Sequence, residues 1–347
     1  MRFLRLAALL GALSLGARAL PAQALEALWY STDTETSVQS FLANAEHVSI
    51  VSPQSFSMDS LGVIWGRVDA RVLARAREAK VKVVPLIVNP GFDQGIFHKV
   101  LATPASFKRA VRNITALCRD NRFDGIQFDF ENINIVDREL FTAFSKEVAD
   151  SLHRVNCTLS AAVVPRQSDF PGPTSYHAWI YANWRGAYDY KALTQSMDFL
   201  SIMTYSQHTR RTPPGPVAGY PWMERTVKYL LEIGVPANKI SLGFPAYSNH
   251  WFPVSDAQGP RSSGTGLSWA NATGLLAKVG ATPVWDDTQK EAYAFWDYDG
   301  VYEWLFVQDA RAFDARLELV RRYRLRGYSV WQLGQEDPKV WALPKLR

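Results

Sequence analysis

A chain of 347 residues, 47% hydrophobic and 20% charged, can bury a substantial core, and this composition excludes a disordered, collagenous or membrane-bundle protein. Its two cysteines, Cys118 and Cys157, exclude a disulfide-rich scaffold and any four-cysteine zinc or iron–sulfur site. The formal charge of +5 falls to +2 once Arg2, Arg5 and Arg18 of the first 24 residues are set aside, so no basic stripe supports nucleic-acid binding.

Residues 1–24 read as an export signal: Arg2 and Arg5 give a basic start, 6–15 an apolar run, and Ala22-Gln23-Ala24 a small-x-small cleavage site. Cleavage before Leu25 leaves 323 residues. That apolar run is too short to span a bilayer, so a secreted or periplasmic protein without membrane insertion is expected. Apolar runs of strand length follow at 47–52, 62–65, 81–88, 125–131, 158–164, 199–205, 240–246 and 327–333. Amphipathic stretches at 70–79, 106–119, 139–155, 190–196, 223–233 and 309–324 are predicted helices between them. Eight strands alternating with helices predict an α/β fold, a (β/α)8 TIM barrel.

About 80 residues separate the seventh strand from the eighth, too many for a loop without structure of its own. Within them 268–279 reads as a helix and 283–286, 292–296 and 302–307 as short strands, with Asp299-Gly300 as a hairpin turn. A small α+β insertion at about 249–307 is therefore expected within a single domain covering 25–347. Cys118 and Cys157 fall near the ends of two helices flanking one strand; a disulfide and two buried thiols are both open readings.

The segment Phe123-Asp124-Gly125-Ile126-Gln127-Phe128-Asp129-Phe130-Glu131-Asn132 carries the most chemistry. Strand side chains alternate between faces, so Ile126, Phe128 and Phe130 pack under the helices while Gln127, Asp129 and Glu131 point into the barrel. Burying two carboxyl groups side by side costs several kcal/mol unless protons and hydrogen bonds compensate, so a structural role alone does not account for them. Like charges on one face disfavour joint ionisation, which makes one of the two a proton donor. The bland alternative is a solvated strand end whose acids cap the next helix. A metal site on Asp129 and Glu131 lacks further acids or histidines to complete a ligand set, so no metal is expected. No phosphate loop, dinucleotide fingerprint or Gly-x-Ser-x-Gly elbow is present, and no cofactor is called for.

These residues resemble glycoside hydrolase family 18, whose fourth barrel strand carries Asp-Gly-x-Asp-x-Asp-x-Glu. Asp124, Gly125, Asp129 and Glu131 match that signature, and Gln127 replaces the first acid of the inner pair. Met203-Thr204-Tyr205 is similar to the family's Met-x-Tyr element, with Ser206 in place of a common following Asp. Residues 242–247 resemble the seventh strand and 327–337 the eighth, whose Trp floors the sugar. The bacterial spore-germination and cortex-lytic peptidoglycan hydrolases are the most similar branch.

The resemblance implies a glycosidase acting on β-linked N-acetylglucosamine-containing glycans, peptidoglycan or chitin-type, by a retaining, substrate-assisted mechanism. Glu131 would be the general acid/base, Asp129 would orient the acetamide, and Tyr205 would hydrogen-bond its oxygen. Trp331 would floor the sugar, with Gln127, Met203 and Tyr247 completing the substrate-binding set. Trp222, Trp251 and Trp269 lie in or beside loops and are further groove candidates. Asp93, Glu336 and Asp337 have no pattern tying them to a nucleophile role, and His208 and His250 lack zinc spacing. The competing class is a catalytically inactive, chitinase-like saccharide-binding protein. A monomer is expected in either case.

Overall fold

The computed structural model describes residues 25–343 apart from 211 and 258, so the export signal lies outside the described residues. The strands are β1 (Glu26–Ser31), β2 (Ile50–Met58), β3 (Ile64–Gly66), β4 (Lys82–Val83), β5 (Leu86–Val88), β6 (Gly125–Asp129), β7 (Thr158–Val163), β8 (Phe199–Ile202) and β9 (Ile240–Pro245). An insertion supplies β10 (Ser248–Asp256), β11 (Gly259–Leu267), β12 (Val284–Asp286), β13 (Glu291–Tyr298) and β14 (Val301–Val307), and β15 (Gly327–Trp331) ends the series.

The main sheet runs β1-β15-β9-β8-β7-β6-β5-β2, and β1 pairs in parallel with both β15 and β2, closing the ring. This is a (β/α)8 TIM barrel. One of its eight positions is split into β4 and β5 around Val84 and Pro85, because proline has no N–H for the ladder.

The roster of barrel strands differs from the sequence reading at its start. Segment 62–65 is not a barrel strand: β3 lies antiparallel to β2, joined through a turn in which Asp59 Oδ1 accepts from Leu61 N and Val63 N at 2.9 Å each. The first barrel strand is β1, which the sequence reading passed over. Both its faces are buried, with Ala27 and Trp29 in the outer core and Leu28 and Tyr30 inside the ring, so no polar–apolar alternation marks it. Strand β2 also continues past Pro53 to Met58, with an irregular register between Gln54 and Phe56. Helices Glu35–Asn44 and Gln94–Ala102 join those expected.

The main core lies between strands and helices. Phe128 stacks on Phe144 of helix Arg138–His153 at 5.8 Å, and Phe130 on Phe97 at 4.1 Å. Inside the ring, Leu28, Tyr30, Ile50, Val84, Leu86 and Phe199 form a smaller apolar plug. A polar layer crosses the same interior: Gln127 donates to Ser160 Oγ and Ser201 Oγ at 3.0 and 3.2 Å, and Ser329 Oγ donates to Ser201 Oγ at 3.0 Å. Cys118 and Cys157 form a disulfide, with Cα atoms 6.6 Å apart, from the last turn of helix Pro104–Asn121 to the start of β7.

The insertion is an antiparallel sheet in the order β11-β10-β14-β13-β12, with helix Trp269–Val279 packed on one face through Ala272 and Leu276. Glu291 at the start of β13 ties it to the barrel. Its carboxylate pairs with Arg316 at 3.1 Å and accepts from Val217 N and Ala218 N at 3.0 and 3.3 Å. Among the described residues, no helix is long and apolar enough to cross a membrane.

Candidate active site

The ladder of β6 stops at Asp129, and Phe130 and Glu131 run on without strand partners. Other groups hold this overhang. Asn89, itself buried, donates Nδ2–H to Glu131 O at 3.0 Å and accepts from Glu131 N at 3.1 Å. Tyr188 Oη donates to Phe130 O at 2.8 Å. Asn132 then turns into the left-handed region at φ 55°, its Nδ2 donating to Phe92 O at 3.1 Å. The peptide flanks of Glu131 are thereby fixed, and its side chain projects at the C-terminal mouth of the barrel, where such folds build their sites.

A cleft of about 610 Å³ opens there. Glu131, Asp129, Tyr205, Met203, Tyr247 and Trp331 all line it. Gln127 does not. It is fully buried one inward position below Asp129, spending its amide on Ser160 and Ser201, so the expected contact with substrate becomes support for the layer beneath the acids.

Burial pushes the Asp129 carboxyl up to about 7, opposed by the Gln54 amide, whose Nε2 stands 3.5 Å from Oδ2. Burial, and then the charge of Asp129, raises Glu131 well above the usual carboxylate range. Near neutral pH the pair therefore retains a proton. Burial likewise keeps Tyr205 a neutral hydroxyl. Ser206, at φ 54°, shares a 2.5 Å hydrogen bond with Tyr247 Oη and links the loops after β8 and β9. The Trp331 ring lies 5.4 Å from that of Tyr30, and its carbonyl accepts from Ala246 N at 2.7 Å.

Of the other aromatic candidates, Trp222 lines the cleft, whereas Trp251 and Trp269 do not. Trp251 is 1% exposed and packs edge-on against Phe306 in the insertion, and Trp269, the first residue of the insertion's helix, packs partly buried against the insertion's own apolar cluster. Aromatic side chains serve core and groove equally well, so composition could not separate them. Asp93 caps helix Gln94–Ala102, Glu336 accepts from Gly334 N at 2.6 Å, and Asp337 from Ala310 N at 3.0 Å. His250 pairs with Glu303 at 2.6 Å. Among the described residues no group of three or more His, Cys, Asp or Glu is placed to hold a metal.

The sequence reading missed Tyr30, Gln54, Trp184 and Arg185, which also line the cleft. Tyr30 lies on the overlooked β1 and Gln54 just past Pro53. Trp184 and Arg185 follow β7 in a long connection rich in proline and glycine, where no periodicity announces which side chains turn inward.

The match to the glycosyl hydrolases family 18 profile runs over residues 29–336, nearly the whole described chain. The chain belongs to that family. It is a glycosidase, and its substrate is a glycan. A relative named uncharacterized glycosylase YvbX, from Bacillus subtilis, is 24% identical over 318 residues, 90% of this chain and 88% of that one. The cortical fragment-lytic enzyme of the same organism is 28% identical over 262 residues. That alignment covers 75% of this chain and 58% of the relative's length. Among solved structures, a chitinase from Chromobacterium violaceum superposes with a TM-score of 0.81 at 28% identity, covering 92% of this chain and 97% of that one.

Proposed function

We propose that this family 18 glycosidase hydrolyses β-linked N-acetylglucosamine-containing glycans with retention, using the substrate's own acetamide as nucleophile. One observation carries the reading: both carboxyl groups lining the cleft come from the inward side of a single overhanging strand, and among the described residues no third lines it. A retaining enzyme with its own nucleophile needs a second carboxylate about 5–5.5 Å away across the scissile bond. Asp93, Glu336 and Asp337 cannot serve, being committed to backbone N–H groups. The nucleophile is then the acetamide carbonyl oxygen, which attacks the anomeric carbon as Glu131 protonates the departing oxygen.

Asp129 accepts the acetamide N–H and offsets the positive charge that develops on the ring so formed, and Tyr205 donates to the acetamide oxygen. Trp331 supplies an apolar face under the sugar. Glu131, now ionised, removes a proton from water, which attacks the anomeric carbon and restores the acetamide with net retention. Peptidoglycan and chitin strands both carry the required group. Action on either outside the cytoplasm, by a monomer carrying a cleaved leader, completes the proposal.

The test is hydrolysis of a chromogenic N-acetylglucosamine oligomer, with product configuration read by proton NMR. Glu131→Gln should lower kcat by about 10²–10⁴-fold, with binding largely kept. Equal turnover by native and substituted enzyme would overturn the assignment of the acid, and binding without turnover by the native protein would favour the lectin-like class.

A further inference from the structure

A second, polar pocket of about 360 Å³ adjoins the cleft and shares Ser206, Tyr247 and Trp331 with it. Its remaining wall includes His208, Arg210, Asn249 and Gln335 and, among the described residues, holds no carboxylate. Gly264 and Gly266, two apart on one face of β11, also line it. A Cβ at 264 would come within 3.0 Å of Trp251 Nε1, and one at 266 within 3.6 Å of the Tyr247 ring.

We propose that this pocket receives a carboxylate carried by the glycan, so that the enzyme selects anionic N-acetylated strands over neutral ones. The inference rests on the glycosidase reading above and names the substrate class of the same site.

Charge carries the argument. Among the described residues lining cleft and side pocket the only acids are Asp129 and Glu131, which burial holds toward their neutral forms. The cations are Arg185 in the cleft and Arg210 in the side pocket, and neither side chain has an ion pair among the described residues. A neutral group covering the Arg210 guanidinium would strip its water and return no charge, whereas a carboxylate restores the lost interaction. His208 and the Asn249 amide, whose Nδ2 donates to His208 O at 3.4 Å, stand on the same wall. A substituent projecting past Trp331 therefore meets donors with no competing acid. Two sources supply that chemistry in N-acetylated glycans: the lactyl ether of muramic residues freed of peptide, and the carboxylates of attached stem peptides.

Calorimetric binding in the Glu131→Gln background separates these sources and the proposal from its alternatives. The probes are neutral N-acetylglucosamine oligomers, peptide-free muramic-acid-containing strands of equal length, and the same strands with stem peptides attached. At low salt one or both anionic probes should bind about tenfold or more tightly than the neutral one, the scale of one charge-assisted hydrogen bond, and added salt should shrink the gap. Arg210→Gln, made in the same background, should remove most of that preference, and Arg210→Glu should invert it. A preference confined to the peptide-bearing probe places the carboxylate on the peptide, and one shown by the peptide-free probe places it on the lactyl group. Equal affinity for all probes, or an equal loss on all of them in the Arg210 variants, would overturn the pocket assignment. Turnover by the native enzyme, measured separately on each probe, tests the glycosidase reading: no cleavage of any would sink that reading and leave the binding preference still legible.

Discussion

Asp129 and Glu131 carry opposite demands: the fold buries them where charge is costly, and the reaction needs a proton held there at neutral pH. Burial raises the Asp129 carboxyl to about 7 and Glu131 above its usual range. An acid raised on folding contributes stability that is fully present below its unfolded value near 4 and is lost as pH climbs through the folded value. Asp129→Asn, which removes the titrating group and keeps its shape, should therefore stabilise the protein by about 1–3 kcal/mol at pH 8 and by little at pH 4. Urea denaturation at the two pH values checks this, and a stabilisation independent of pH would contradict the buried-acid account. Activity should fall as pH rises through the Glu131 value, because the ionised carboxylate cannot protonate the leaving oxygen. At this scale the sequence was informative about the acids, since their strand alternation is local. It misled about Gln127, whose depth below the cleft depends on where the ring's apolar plug ends.

Strand β6 is positioned at both ends by different means. Near its mouth the Asn89 amide holds the Glu131 peptide, and near its base the Cys118–Cys157 disulfide joins the preceding helix to the following strand. The cross-link spans a separation of 39 residues, for which the chain-entropy estimate of its stabilisation is about 4 kcal/mol. Reduction, or the paired change Cys118→Ala with Cys157→Ala, should lower the denaturation midpoint accordingly. The cross-link sits at the end of β6 remote from the acids, so kcat should change less than twofold, roughly the scatter expected for a distant site. A large loss of kcat in protein still folded would show that the base of the strand, too, governs the acids. The sequence left the pairing open because residue spacing says nothing of the separation of two Cα atoms in space. It passed over β1 for a related reason: a strand buried on both faces has no alternation to read.

At the level of the molecule, barrel and insertion are joined by a buried ion pair. Glu291 and Arg316 are 1% and 2% exposed, and together they also bind the backbone of residues 217–218 on the connection that follows β8. Replacing one partner strands the other in a dry interior, at a cost of about 3–5 kcal/mol, whereas replacing both with apolar residues of similar volume recovers most of it. Arg316→Met should thus be markedly destabilised and Glu291→Leu with Arg316→Met much less so, as read by chemical denaturation. Single and double variants of equal stability would mean that the pair is not the clamp described. The same connection carries Tyr205 and Ser206 at one end and Trp222 beyond the other, so loosening it should raise KM before it lowers kcat.

The sequence by itself determined the class of fold, the strand bearing the acids and the side on which they lie, because strand and helix periodicities act between neighbours in the chain. Tertiary structure alone decided which tryptophans face solvent in the cleft and which fill the insertion. It also decided that the cysteines pair, that Gln127 lies beneath the site, and that Tyr30, Gln54, Trp184 and Arg185 border it. Those outcomes depend on packing between segments far apart in sequence, where the same aromatic or amide serves a core or a groove according to what closes over it.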